Sequence, residues 1–247
     1  MEHEKLLYQN KEIKNYRIEE KFYSKKNYVY KVRIFYHDDT EAMGVIKVYN
    51  DNRDALYKEV QMLRKLKEYG MNVPVVHFVG EDYLIMEYIN GNTLLEIISH
   101  LEEGKRINHN GRLITTSCLV VEICKWLKSF YEAAKDFSRE DVIFGDTHLR
   151  NFILADQLYG IDFENCTIGK GESDCGKMCA YILTYAPAFT PWKQQFTKEL
   201  IRGFTEYLSF RRETIIMEMR KEIIILKERR NRSASESIDG ESIINLL

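Results

Sequence analysis

The stretch Phe144-Gly-Asp-Thr-His-Leu-Arg-Asn151, with Asp162 eleven residues beyond the asparagine in Ile161-Asp-Phe-Glu164, decides the reading of this chain. Asp146 can orient a hydroxyl. Asn151 and Asp162 are oxygen-bearing side chains of the kind that hold Mg²⁺ among the phosphates of ATP, in chemistry that is mostly positioning and charge neutralisation. Most loop aspartates only cap local backbone. Here the spacing, the apolar flanks of Asp162 and a matching set of residues upstream favour phosphoryl transfer.

The upstream set begins with a hairpin. Tyr28-Val-Tyr-Lys-Val-Arg-Ile-Phe-Tyr36 is β-branched and aromatic, His37-Asp-Asp-Thr40 is a polar turn, and Met43-Gly-Val-Ile-Lys-Val-Tyr49 resumes as a strand. Lys47 stands between Ile46 and Val48, and a lysine inside an apolar strand needs an anionic partner. The next segment, Asn52 to Leu66, places Ala55, Leu56, Val60, Met62, Leu63 and Leu66 at helical spacing. Glu59 on that helix is the expected partner of Lys47, the alternative being an exposed helix charge. Pro74 to Phe78 and Tyr83 to Tyr88 read as two further strands, and Gly91-Asn-Thr-Leu as the start of a helix capped by Asn92 or Thr93.

This order of residues resembles the aminoglycoside phosphotransferase branch of the protein-kinase-like superfamily, whose signature is H-G-D-x-x-x-x-N followed by a hydrophobic residue and aspartate. The match lies at Gly145, Asp146, Asn151 and Asp162, and the chain departs at Phe144, where the family has a structural histidine. The resemblance spans roughly residues 15 to 210. It implies an α+β, bilobal fold: an N-lobe antiparallel sheet of about five strands plus one helix, over residues 1–90, and a mainly helical C-lobe over 91–232, with 233–247 as a tail. It further implies that Lys47 contacts the α- and β-phosphates, that Glu59 fixes it, and that backbone groups near Glu87 and Ile89 meet the adenine edge. Asp146 would be the catalytic residue, accepting or simply orienting the acceptor hydroxyl, with Asn151 and Asp162 the metal ligands and ATP or GTP with Mg²⁺ the co-substrate.

The stretch Phe22-Tyr-Ser-Lys-Lys-Asn-Tyr28, where protein kinases have a glycine-rich loop, contains no glycine. Side chains of Ser24, Lys25 or Asn27 can substitute for close backbone approach, or the lysines form a solvated turn. After Asp162 only a short segment precedes Asp174 and the helical stretch to Leu183, too short for a peptide-docking activation segment, so a small-molecule acceptor is expected. By the resemblance Asp174 braces the catalytic loop, and the acceptor is a hydroxyl of an aminoglycoside, another sugar or an amino alcohol. The rival readings are a nucleotide-binding pseudokinase and an atypical protein or lipid-sugar kinase.

Residues 101–117 are polar and glycine-punctuated and read as a loop or an acceptor-side insertion; Cys118 to Ala134 reads as an amphipathic core helix. Helical patterns continue from Pro191 to about Arg230. The last is flanked by basic residues that admit membrane-surface contact, although interspersed acids favour a helix closing the C-lobe. The end of the tail is expected to be either weakly ordered or docked through Ile243, Ile244 and Leu246.

The composition, 45% hydrophobic and 30% charged over 247 residues, suits an ordinary soluble protein, and a net charge of -2 implies no nucleic-acid partner. The polar start, the absence of a spanning apolar run and five cysteines point to a cytoplasmic protein with reduced thiols. Cys166, Cys175 and Cys179 lack the paired spacing of a metal site.

Overall fold

The computed structural model describes residues 13–24, 26–50, 52–109 and 111–231. The expectations for Lys25 and for the tail lie outside the described residues. The chain divides into two compact units, Met1–Asn90 with Ile161–Glu164, and Gly91–Gly160 with Asn165–Leu247.

The first unit is built on an antiparallel sheet of strands β1 (Ile13–Phe22), β2 (Tyr28–Tyr36), β3 (Glu41–Val48), β4 (Val76–Val79) and β5 (Tyr83–Glu87), in the order β1-β2-β3-β5-β4. The turn between β2 and β3 uses Asp39 at φ 61 and the Asp38 carboxylate, which accepts from the Thr40 amide at 3.1 Å. Alternation along the strands puts Val32, Ile34, Ile46, Val48, Tyr83 and Ile85 together in one buried cluster with Ile13. Lys47 therefore points to the opposite face, with Val45.

That face meets helix α1 (Arg53–Glu68), capped where Asn52 accepts from the Ala55 amide at 3.1 Å. Leu56, Val60, Leu63 and Leu66 form its buried stripe, and Glu59 falls within the stripe. The sequence reading names no strand before Tyr28. β1 gives no alternating signal because Ile13 alone of its ten residues is buried.

The second unit is mainly helical: α2 (Leu94–Glu102), α3 (Thr116–Ser138), α4 (Gly171–Thr184), α5 (Pro191–Leu208) and α6 (Arg212–Asn231). Thr93 and Glu96 form a capping box at the start of α2. Short strands complete the unit: β6 (Asn92–Thr93), β7 (Ile107–His109), β8 (Arg112–Ile114), β9 (Val142–Ile143), β10 (Phe152–Leu154), β11 (Leu158–Gly160) and β12 (Thr167–Ile168). The segment expected to be a loop over 101–117 instead ends α2, forms the β7–β8 hairpin around Gly111 at φ 78, and starts α3 under a Thr115 cap. The architecture is α+β, a five-stranded antiparallel sheet with a helix followed by a mainly helical part. No described helix is long and apolar enough to cross a membrane.

Candidate active site

The chemistry of the first unit centres on Lys47, whose side chain is 5% exposed. Its Nζ donates to Glu59 Oε2 at 2.6 Å and to Asp162 Oδ1 at 2.7 Å, and lies 3.2 Å from Glu164 Oε2. Burial opposes the ammonium charge, but Glu59, Asp162, Tyr49 and Glu164 outweigh it and hold Lys47 well above its ordinary value. Burial pushes the Glu59 carboxyl up against the attraction of Lys47, and the Tyr49 hydroxyl also donates to Glu59. Asp162 sits at φ 69, in the left-handed region that aspartate tolerates better than most residues and that concentrates at functional sites.

Carboxylate oxygens of Glu59, Asp162 and Glu164 lie within 4.8 Å of one another. Lys47 and the more exposed Lys26 face three carboxylates, so the cluster carries more acids than bases. Glu59 Oε1 is buried without a hydrogen-bond partner. A hard divalent cation with a preference for oxygen fits this donor set, and Asp162 is its most accessible member, with a side chain 33% exposed.

Asn27 Nδ2 donates to Glu164 Oε2 at 2.7 Å, and the Asn27 amide donates to Ser24 Oγ at 3.3 Å. Two of the three expected phosphate-loop residues are thus joined to each other, and Asn27 is linked through Glu164 to Lys47. Glu87 donates its amide to the Val75 carbonyl at 2.8 Å, and its carboxylate accepts from the Val75 amide at 3.1 Å. Of the Glu87 backbone groups only the carbonyl can therefore serve an adenine edge. Ile89 is buried beyond the end of β5.

The second unit carries the catalytic loop. Gly145 adopts φ 85, and a Cβ there would stand 2.3 Å from the Asn165 carbonyl oxygen, so glycine is required. The buried Asp174 carboxylate accepts from the Phe144 amide at 2.7 Å, the Gly145 amide at 2.9 Å and the Tyr131 hydroxyl at 3.1 Å. Lys177 Nζ donates to the Gly145 carbonyl at 2.9 Å. Asp174 therefore braces the loop. Burial pushes its carboxyl up to about 6 despite the amides of Gly145 and Phe144 and the Lys177 charge.

Asp146 is half-buried, and its carbonyl accepts from Asn151 Nδ2 at 3.0 Å, which leaves Asn151 Oδ1 as the atom able to meet a cation. The β10–β11 hairpin follows and leads to Asp162 along the chain. Phe144 packs among Trp126, Phe130 and Phe152 at ring separations of 5.8, 5.8 and 5.4 Å. This aromatic cluster explains the phenylalanine in place of histidine. His148 meets the Tyr185 hydroxyl and lies 4.9 Å, ring to ring, from Tyr181, whereas Arg150 is exposed. The sequence reading missed Tyr181 and Tyr185, as well as the linking role of Glu164.

A family model described as the RIO domain matches residues 6–127, ending before the catalytic loop. The KEOPS complex subunit Bud32 of Pyrococcus abyssi (strain GE5 / Orsay) is 26% identical over 190 residues, covering 73% of this chain and 76% of that protein. A solved structure of a streptomycin-ATP-APH(2")-IIa ternary complex aligns with TM-score 0.57 at 15% identity, covering 94% of this chain and 90% of the other. The fold is protein-kinase-like. The likeness holds at the level of this superfamily and is shared among relatives of different kinds.

Proposed function

We propose that the protein is a phosphotransferase that moves the γ-phosphoryl group of ATP or GTP, with Mg²⁺, to a hydroxyl of a small molecule. The observation that carries this reading is the buried Lys47 ammonium, bonded to Glu59 from α1 and to Asp162 from a distant segment of a kinase-like chain. A lysine so held is poised to contact phosphate oxygens. In this reading Asp146 orients the acceptor hydroxyl, and Asp162 and Asn151 hold the metal; the resemblance and the carboxylate chemistry at Asp162 support these roles. Bound Mg²⁺ supplies neutralisation of phosphate charge. Ser24, Asn27, Glu87 and Ile89 belong to the nucleotide-binding part of the reading.

The acceptor class rests on the short segment between Asp162 and α4 and on the likeness to a complex that contains streptomycin. A second reading, an atypical kinase with a protein acceptor or a place in an assembly, is favoured by the RIO-domain match and by the similarity to a complex subunit. A cytoplasmic location is part of the proposal, supported by five free thiols.

The test is thermal unfolding of wild type and Asp162→Ala with Mg²⁺ and ATP or GTP, since ligand at a hundred times its dissociation constant adds about 2.7 kcal/mol. A metal-dependent rise in wild type that the variant lacks supports the site; no rise with either nucleotide overturns it. Transfer of labelled phosphate to sugars and aminoglycosides, compared with peptides, then separates the two acceptor readings.

A further inference from the structure

The segment Phe22 to Tyr28 has no glycine, so its conformation is not set by the backbone freedom that lets a glycine-rich loop close on phosphates. Side chains fix it instead. The Asn27 amide donates to Ser24 Oγ at 3.3 Å, and Asn50 Nδ2 ties the Lys26 carbonyl to the end of β3 at 2.7 Å. Two further bonds converge on one carboxylate: Asn27 Nδ2 to Glu164 Oε2 at 2.7 Å and Lys26 Nζ to Glu164 Oε1 at 3.2 Å. The Lys26 side chain is 68% exposed, so its pair is screened and weak. The Asn27 bond is partly buried, and the Glu164 side chain is 7% exposed. Its oxygen Oε2 is also the one 3.2 Å from Lys47 Nζ, so a single carboxylate joins the loop to the lysine.

We propose that Glu164 is a positioning residue that, through Asn27, fixes the glycine-free loop to Lys47 and so presets both as one phosphate-binding surface. The inference rests on the nucleotide-binding reading above. It replaces the role of glycine backbone with a side-chain clamp: the loop is held before nucleotide arrives, and less ordering remains for the ligand to impose. The opposite behaviour has a clear signature. If the Glu164 carboxylate were merely an anion lodged among donors meant for phosphate, its removal would tighten nucleotide binding.

The experiment uses the full chain as wild type, Asn27→Ala, Glu164→Ala, Glu164→Gln and the Asn27→Ala/Glu164→Ala double variant. ATP affinity with Mg²⁺ is measured by calorimetry, and amide hydrogen exchange over residues 22–28 without nucleotide. The clamp predicts faster loop exchange and an ATP dissociation constant raised about tenfold in each alanine variant. The double variant should lose no more than Glu164→Ala alone, because the Asn27 side chain acts through that carboxylate. Glu164→Gln, which keeps an oxygen for Asn27, should restore slow exchange in the loop. Unchanged or tighter ATP binding in Glu164→Ala, or additive losses in the double variant, overturns the inference. Wild type that fails to bind ATP overturns the nucleotide reading instead, and loop exchange still decides whether the clamp exists. Should Glu164→Ala fail to fold, Asn27→Ala and Glu164→Gln carry the same comparison.

Discussion

Lys47 Nζ lies 2.6 Å from Glu59 Oε2, and both side chains are almost fully withdrawn from solvent. Removing one partner of a buried pair leaves an uncompensated charge and costs about 3–5 kcal/mol. The two partners are not equivalent. Glu59→Ala leaves Lys47 with Asp162 and Glu164, whereas Lys47→Ala leaves three carboxylates facing one another. Lys47→Ala is therefore expected to be the more destabilising, by urea denaturation at pH 7, and to abolish stabilisation by ATP and Mg²⁺. Equal stability losses in the two variants would contradict the three-carboxylate arrangement.

This pair was legible in the sequence because each member breaks an otherwise apolar period: Lys47 in a strand of period two, and Glu59 in the stripe of Leu56, Val60 and Leu63. Asp146, Asn151, Asp162 and Asp174 were legible through a motif with fixed spacing. Other features leave no such trace. β1 is exposed along nearly its whole length, and β7 and β8 are three-residue strands, too short for a pattern. The partnership of Glu164 with Asn27 spans 137 residues, and that of Tyr185 with His148 spans 37, so neither contact is a local signal. The neighbours of Glu164 in sequence say nothing about its neighbours in space.

Phe144 should be replaceable only at a cost. It fills the space among Trp126, Phe130 and Phe152. Truncation to alanine is expected to lower stability by about 3–5 kcal/mol. Phe144→His would place ring nitrogens among three aromatic rings and lose about 1–3 kcal/mol through unmade hydrogen bonds. Guanidinium denaturation midpoints measure both, and a histidine variant as stable as wild type would show that this position accepts the family residue without penalty.

Asp174 gives a pH dependence with a defined sign. Burial raises its folded-state value from 3.8 to about 6. The folded protein thus keeps this proton to higher pH than the unfolded chain, and the associated stability is full below about pH 4 and falls as pH rises to about 6. A shift of this size corresponds to about 3 kcal/mol. The stability difference between wild type and Asp174→Asn, followed by denaturation from pH 4 to 6.5, should fall across that window. A flat difference would mean that the amides of Phe144 and Gly145 hold the carboxylate ionised in spite of burial.

Asp146→Asn separates chemistry from binding. The bond that organises the loop here runs from Asn151 to the Asp146 backbone carbonyl, which the substitution leaves in place, and Asp174 braces the preceding amides independently of the Asp146 side chain. The loop should keep its shape, and the nucleotide groups Lys47, Glu59 and Asp162 are untouched. A hydroxyl-orienting carboxylate contributes about a hundredfold or more to turnover. The expected result is that loss in phosphate transfer, or in slow ATP hydrolysis if no acceptor has been found, with full thermal stabilisation by ATP and Mg²⁺. Asn151→Ala, by contrast, removes the bond to the Asp146 carbonyl and should disturb turnover and the exchange of the loop amides together. Wild-type turnover in Asp146→Asn would remove this residue from the reaction, and a parallel loss of nucleotide stabilisation would make its role one of binding.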